Sequence, residues 1–131
     1  MALPNGAGGY QLGDGNVGEA QLTVQGAPTA LTAAATVTAA QLANGLFTFN
    51  GTAGNMTLPT VADLEAGISS ASKVNAAFDF YVVNTDNADA ITLTVGTGWT
   101  IVGAAAVSSA TSAHVRARKT GDGTWTAYRM S

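Results

Sequence analysis

The hydrophobic pattern between residues 78 and 103 predicts three β-strands. In the segments FDFYVV (78–83), ITLTV (91–95) and WTIVG (99–103), apolar residues alternate with polar or small ones. A period of two with β-branched and aromatic residues is typical of half-buried strands. The Asn- and Asp-rich residues 84–89 and the glycine-containing residues 96–98 separate the strands and favour turns. We therefore predict an antiparallel meander with one apolar face.

Two short helices are predicted upstream of this meander. Thr38 and Gln41 have the spacing of a capping box, in which the hydroxyl and the amide each satisfy a free backbone N–H group. Gly45 then favours the end of this helix, because glycine readily adopts a left-handed conformation. Thr60 and Asp63 are spaced as a second capping box, and the segment VADLEAGI that follows places its apolar residues on one helical face.

Further short strands complete the predicted secondary structure. They are separated by turn residues every eight to twelve positions, a spacing typical of β-sandwiches and barrels. We predict a mainly β fold: an antiparallel β-sandwich or barrel-like domain with one or two short helices. These further strands are predicted at residues 31–37, 46–50, 55–58, 104–107, 114–118 and 125–130. The predicted core comprises Leu58, Leu64, Phe78, Phe80, Val82, Ile91, Leu93, Val95, Trp99, Ile101, Val115 and Trp125.

Residues 1–30 differ from the rest of the chain. Seven glycines interrupt this segment and no apolar periodicity runs through it. It nevertheless carries Tyr10, Leu12, Val17, Leu22 and Val24, which a plain linker does not need. We therefore predict an extended N-terminal arm that becomes ordered on the surface of another protein, attached to a β domain formed by residues 31–131.

Composition supports a folded chain with a covered surface. Only 10% of the 131 residues are charged, against about a quarter in ordinary domains. The hydrophobic fraction of 47% argues against disorder, and a surface this poor in charge suggests contact with other protein. Cysteine is absent, so disulfides and zinc–thiolate sites are excluded. We also expect no signal peptide, no membrane span and no membrane partner, and a chain that is assembled in the cytoplasm.

Candidate catalytic and cofactor motifs lack the context that their chemistry needs. Residues 13–18 match GxGxxG, but no buried strand precedes them and no helix follows. His114 is the only histidine, and no nucleophile elbow flanks Ser108 or Ser109 to complete a triad with Asp122. One histidine and scattered carboxylates also lack the spacing of metal ligands. We expect neither an enzyme nor a cofactor.

Two further groups of charged residues have structural explanations. Asp63 and Glu65 are interpreted as first-turn acids that interact favourably with the dipole of the second helix. No cation precedes Lys73, whereas Arg116, Arg118, Lys119 and Arg129 lie close to one another near residue 131. Four cations are few for a nucleic-acid site, so we expect no nucleic-acid partner. A solvated strand face and a contact with acids on another protein both remain open, the candidate contact cations being Arg116, Arg118 and Arg129.

Several segments resemble the small decoration, or cement, proteins of tailed-phage capsids. They are MALPNGAGGYQLGDGN, TAAQLANG followed by TLPT, FDFYVVN, TGWTIVG and RARKTGDGTWTAYRMS, and together they span nearly the whole chain. The resemblance implies a homotrimer on the outer capsid surface that bridges and stabilises major capsid protein subunits. It also implies that the capsid contacts of the arm lie among its apolar residues, namely Leu3, Tyr10, Leu12, Val17, Leu22 and Val24.

An alternative function is a carbohydrate- or receptor-binding β module of a phage head fibre or a similar appendage. In that case Trp99, Trp125 and Tyr128 would form exposed stacking platforms for a ligand. If these aromatic rings are buried, the carbohydrate-binding interpretation fails; if Trp99 and Trp125 form an open aromatic groove, it is favoured.

Overall fold

The computed structural model describes residues 22–68 and 73–131, which form ten β-strands and two α-helices. The predicted arm residues Leu3, Tyr10, Leu12 and Val17 and the GxGxxG match lie outside the described residues. The elements are β1 (Thr29–Leu31), β2 (Ala35–Thr36), α1 (Ala39–Asn44), β3 (Leu46–Phe49), β4 (Gly54–Thr57), α2 (Val61–Gly67), β5 (Ala77–Asn84), β6 (Ile91–Thr94), β7 (Trp99–Val102), β8 (Ala106–Val107), β9 (Ser112–Gly121) and β10 (Thr124–Arg129).

The strands form two sheets, and the first half of the chain alternates between them. The six-stranded sheet has the order β1-β3-β5-β9-β10-β7, and the four-stranded sheet has the order β2-β4-β6-β8. Strands β1, β3 and β5 are parallel neighbours in the first sheet, as β2, β4 and β6 are in the second. Each successive pair (β1 with β2, β3 with β4, β5 with β6) is therefore one rung of a short solenoid, and the helices connect one rung to the next.

The second half of the chain extends the six-stranded sheet beyond the third rung. Strand β9 pairs antiparallel with β5, and β10 pairs antiparallel with β9. Strand β7 pairs parallel with β10 at the edge of this sheet, although it comes earlier in the chain. In the smaller sheet β8 pairs antiparallel with β6.

The predicted mainly β class is confirmed, with 44% strand, 12% helix and two multi-stranded sheets. The predicted meander is wrong: β6 lies in the other sheet from β5 and β7, and five of the eight described strand pairings are parallel. Alternation shows which side chains share a face but says nothing about which strand is the neighbour. The residues between β5 and β6 carry the chain across to the second sheet, and the Asn84 amide stabilises this crossing by donating to the carbonyls of Asp89 and Val107.

The first capping box is confirmed in full. The Gln41 N–H donates to Thr38 Oγ1 at 3.2 Å, and the Thr38 N–H donates to Gln41 Oε1 at 3.0 Å. Gly45 ends α1 with φ of 79°, as its left-handed preference predicts. At α2 the Asp63 N–H donates to Thr60 Oγ1 at 3.2 Å, which is one of the two bonds that a capping box contains.

The core lies between the two sheets and the helices. Nine of the twelve predicted core residues are buried, and Phe78, Val95 and Ile101 are partly buried against them. The sequence interpretation missed most of the core in the first two rungs. These missed residues include Val37, Leu42, Phe47, Phe49, Met56 and Val61.

Candidate protein-contact sites

The end of the predicted arm leaves the domain at a fixed point. The Gln25 side-chain amide donates to the Asn44 carbonyl at 2.8 Å, and the Asn44 amide donates to the Ala27 carbonyl at 2.9 Å. Asn44 is the last residue of α1, so these bonds attach residues 25–27 to the end of that helix. A Cβ atom on Gly26 would lie only 2.4 Å from Asn44 Oδ1, so a larger residue there would displace the Asn44 side chain.

Two apolar side chains of the predicted arm are exposed next to this attachment point. Leu22 is 86% exposed and Val24 is 100% exposed. Single exposed apolar residues are common on protein surfaces, but two together on an extended segment form a small apolar patch. Such a patch is suited to burial against another protein. These two are the predicted contact residues that lie within the described part of the arm.

The outer side of the six-stranded sheet carries a cluster of polar and aromatic side chains, called the polar face below. Residues of β5, β9 and β10 alternate, so that Phe80, Val115 and Trp125 point into the core while their neighbours point outward. None of the described helices or strands buries this side of the central strands. The polar face consists of Asp79, Tyr81, His114, Arg116, Arg118 and Tyr128.

One half of the polar face is centred on Asp79. Arg116 Nη1 donates to the Asp79 carboxylate at 3.1 Å, and His114 Nε2 lies 3.5 Å from Asp79 Oδ2. The Tyr81 ring stacks on His114 with 4.5 Å between centroids and 15° between planes. Tyr81 remains 45% exposed, so an aromatic ring stands next to charged groups that could form hydrogen bonds with a partner.

The other half of the polar face is centred on Arg118. Its guanidinium donates to Asn75 Oδ1 at 2.8 Å and to the Tyr128 hydroxyl at 3.1 Å, and it lies 5.9 Å from the centroid of the Tyr128 ring. The structure thus places Arg116 and Arg118 on one face of the six-stranded sheet, each with partners in the same chain. An exposed ion pair contributes only about 0–1 kcal/mol to stability, so the pair between Arg116 and Asp79 explains little of the fold's stability.

Arg129, the third predicted contact cation, lies elsewhere. Its Nη1 donates to the carbonyls of Ala104 and Ala106 at 3.1 and 3.0 Å. These bonds attach β10 to Ala104 and to the first residue of β8. The guanidinium therefore has intramolecular partners, and it is separated from the polar face.

Glu65 has a different role from the one predicted. It accepts hydrogen bonds from the Lys119 ammonium and from Trp125 Nε1, the latter at 2.9 Å. The bond from Lys119 is the main cause that lowers the pKa of Glu65, followed by the bond from Trp125. Only Asp63 is an acid in the first turn of α2, so the helix-dipole interpretation of Glu65 is wrong. Side-chain partners distant in sequence cannot be recognised from local spacing.

The two tryptophans are buried, so the predicted stacking platform is wrong. Trp99 is 7% exposed and donates from Nε1 to the Pro59 carbonyl at 2.7 Å, whereas Trp125 is 1% exposed. Both rings pack in the core with 5.8 Å between their centroids. Tyr128 is half-buried under Arg118. Apolar alternation had already placed the two tryptophans in the predicted core, and that assignment is confirmed.

The sequence interpretation missed Asp79 and Tyr81 as members of a surface site. The signal that could have found them is the set of outward positions on two adjacent strands, where Asp79 pairs with Arg116 and Tyr81 pairs with His114. Recognising it requires knowing that β5 and β9 are neighbours.

The described residues hold no group of three His, Cys, Asp or Glu side chains that could bind a metal ion. Within residues 22–68 and 73–131, no helix has the length and apolar character needed to cross a membrane. No protein-family model, curated protein or solved structure matches the chain.

Proposed function

We propose that this chain is a non-enzymatic structural protein of a phage virion. In this proposal it decorates the outer capsid surface as a homotrimer and stabilises the shell by bridging subunits of the major capsid protein. Assembly would take place in the host cytoplasm. The sequence resemblance suggests this function, and the single observation that carries it is the pair of exposed apolar residues, Leu22 and Val24, on a segment attached to the domain through Gln25 and Asn44.

This attachment matters because an arm must be presented at a defined place to reach a neighbouring subunit. The hydrogen bonds between residues 25–27 and the end of α1 define where the arm begins. From there Leu22 and Val24 extend away from the domain without burial by any described residue. An arm attached to the domain at residues 25–27 can lie along a foreign surface, while the β domain supplies the body of the subunit.

The expected binding free energy of the arm is consistent with a protein that binds in many copies to a capsid. Burying one Leu or Val side chain contributes about 1.5–3 kcal/mol, so one arm provides modest affinity. Three arms on one trimer raise the overall affinity, because the second and third contacts are intramolecular. Weak contacts repeated over a capsid then suffice for stable decoration.

The test is binding of the purified full chain to capsids of a phage that encodes it, prepared without the protein. Occupancy is measured by co-sedimentation and by electron microscopy. Replacing Leu22 and Val24 with serine should weaken capsid binding at least about 10-fold, since about 1.4 kcal/mol corresponds to that factor. The matched control is Val74→Ser, which removes an exposed valine from the domain instead of the arm.

Retained occupancy of the arm variant at the wild-type level would contradict the role of these two residues. A wild-type chain that does not bind the capsids at all would overturn the proposed function itself. Circular dichroism of each variant shows whether the fold is intact.

The carbohydrate-binding alternative fails in its predicted form, because Trp99 and Trp125 are buried, but one observation on the polar face favours a carbohydrate or receptor site of different composition. Tyr81 is an exposed aromatic ring with the Asp79 carboxylate and the Arg116 guanidinium nearby, a combination suited to stacking and hydrogen bonding with a sugar. The variant Tyr81→Ala should then abolish binding to host-cell glycans but leave capsid binding unchanged. Tyr81→Phe is the matched control, since it keeps the stacking ring at the same position. Equal glycan binding by wild type and Tyr81→Ala would exclude this function.

A further inference from the structure

One end of the molecule consists of two open strand edges. Strand β1 is the edge of the six-stranded sheet and β2 is the edge of the four-stranded sheet, each with a described partner on one side only. Residues 32–34 join them, so the two strands and their turn form the outer side of the first rung. We call this surface the β1/β2 end; its exposed residues are Ala30, Thr32, Ala33, Ala34 and Thr36.

This end carries no ionisable side chain. Residues 20–62 contain no Asp, Glu, Lys, Arg or His, so the first two rungs are uncharged. Proteins usually protect exposed strand edges with charged residues, with proline inside the strand, with β-bulges or with a covering element. Strand β1 has the sequence TAL and β2 has the sequence AT, both paired in unbroken register. None of the described residues covers their outer edges.

The stacking of the first rung on the second shows that the β1 and β2 strands can pair with another strand along an edge. In the first two rungs β1 lies on β3 and β2 lies on β4, both in parallel register. The turns of these rungs also stack closely, since a Cβ on Gly51 would lie 1.9 Å from the Thr32 carbonyl oxygen. Solenoid proteins generally need polar capping repeats at their ends. Here the first rung has the stacking geometry of an internal rung and no cap among the described residues.

We propose that the β1/β2 end is the surface through which this chain associates with a second copy of itself. Because each copy contributes the same surface, this contact has two-fold symmetry and joins two subunits, so it is separate from the three-fold contact of the homotrimer in the proposed function. A partner must meet two strand edges simultaneously, about 10 Å apart, and must tolerate an uncharged surface of small residues. A second copy presents matching edges and the same lack of charge. Nucleic acid or a strongly charged protein would find no counter-charge there.

The proposal makes a distinctive prediction about salt. Association through an uncharged edge should be unchanged, or slightly stronger, when the salt concentration is raised to about 1 M, where the Debye length is about 3 Å. Association through the polar face, which carries Asp79, Arg116 and Arg118, should weaken under the same conditions.

The experiment measures the mass of the full chain by light scattering after size exclusion, over a range of protein and salt concentrations. The wild type should form an oligomer at low and at high salt. The variants Ala30→Glu and Thr36→Glu place a charge on the edge strands and should weaken association at least about 10-fold, with unchanged circular dichroism. The control Thr124→Glu places the same charge on an exposed residue of β10, four strands away from β1.

A wild type that stays monomeric at every concentration would overturn the proposal, as would an oligomer that both edge variants leave intact. Equal dissociation by the control variant would also refute it, because the effect would then be a general consequence of added charge. These outcomes are separate from the proposed function. An oligomer formed through another surface can still decorate capsids, and a chain that fails to bind capsids can still associate through this end.

Discussion

The buried contact among Glu65, Lys119 and Trp125 provides a quantitative test of what stabilises the fold. The Lys119 side chain is only 5% exposed, and its ammonium donates to the Glu65 carboxylate. Trp125 Nε1 donates to the same oxygen atom. The substitution Glu65→Gln keeps the size of the side chain and one acceptor oxygen but removes the negative charge. It therefore isolates the electrostatic part of this contact, which joins α2 to β9 and β10.

The expected loss of stability is about 2 kcal/mol. Hydrogen bonds to charged groups contribute about 1.5–3 kcal/mol, whereas neutral ones contribute about 0.5–1.5 kcal/mol. Breaking a fully buried ion pair costs more, about 3–5 kcal/mol. Glu65 is 28% exposed, so water can partly solvate the remaining Lys119 charge, and the loss should fall below that range.

The stabilisation that the Glu65 carboxylate provides should decrease at acidic pH. Because Lys119 and then Trp125 lower the pKa of Glu65 below its ordinary value of 4.5, the folded state binds this proton less readily than the unfolded state. The stabilisation is therefore complete above pH 4.5 and is lost as the pH falls through the folded-state pKa. The free-energy difference between wild type and Glu65→Gln should decrease over that acidic range, since glutamine does not titrate.

Urea unfolding followed by tryptophan fluorescence, at one fixed protein concentration, measures these free energies from pH 7 downwards. The control Asp122→Asn removes one negative charge from an exposed turn and should change stability by less than about 0.5 kcal/mol. A Glu65→Gln variant as stable as the wild type at pH 7 would refute the reasoning. So would a difference that stays constant as the pH is lowered past 4.5.

Three other predictions concern local structure. Gly51→Val should destabilise the domain by about 2 kcal/mol or more in urea unfolding, because its Cβ would collide with the Thr32 carbonyl; unchanged stability would show that the rungs are not stacked this closely. Thr38→Ala should cost about 1 kcal/mol in the same assay, since it removes the capping hydroxyl of α1, and no loss would contradict that role. Trp99 and Trp125 should give blue-shifted fluorescence that resists acrylamide quenching, and strong quenching in the native state would contradict their burial.

Local sequence patterns predicted the elements of this fold well. The capping box at Thr38 and the left-handed Gly45 act within one helix, so residues a few positions apart determine them. The alternation of Phe80, Val82 and their neighbours likewise separates the buried from the exposed side of β5 without knowledge of its partners. The mainly β class and most of the predicted core follow from such short-range rules.

Strand pairing was predicted wrongly, because it depends on contacts between distant residues. A signal was nevertheless present, since a similar sequence ends all three rungs: TVT (36–38), TLPT (57–60) and TVGT (94–97). Two of these segments lie side by side, with the hydroxyls of Thr57 and Thr94 2.6 Å apart. The polar face and the Glu65 contact were missed for the same reason, since their members come from strands and helices that only the tertiary structure brings together.

The position of β10 has a consequence for the order in which this protein can fold. Strand β10 fills the gap between β9 and β7, although β7 was synthesised more than twenty residues earlier. During translation β7 therefore has no neighbour in its sheet until residues 124–129 have left the ribosome. Until then the Trp99 ring also lacks its contact with Trp125. Folding of the three rungs can precede this step, but the closure of the larger sheet must be a late event that depends on a six-residue segment.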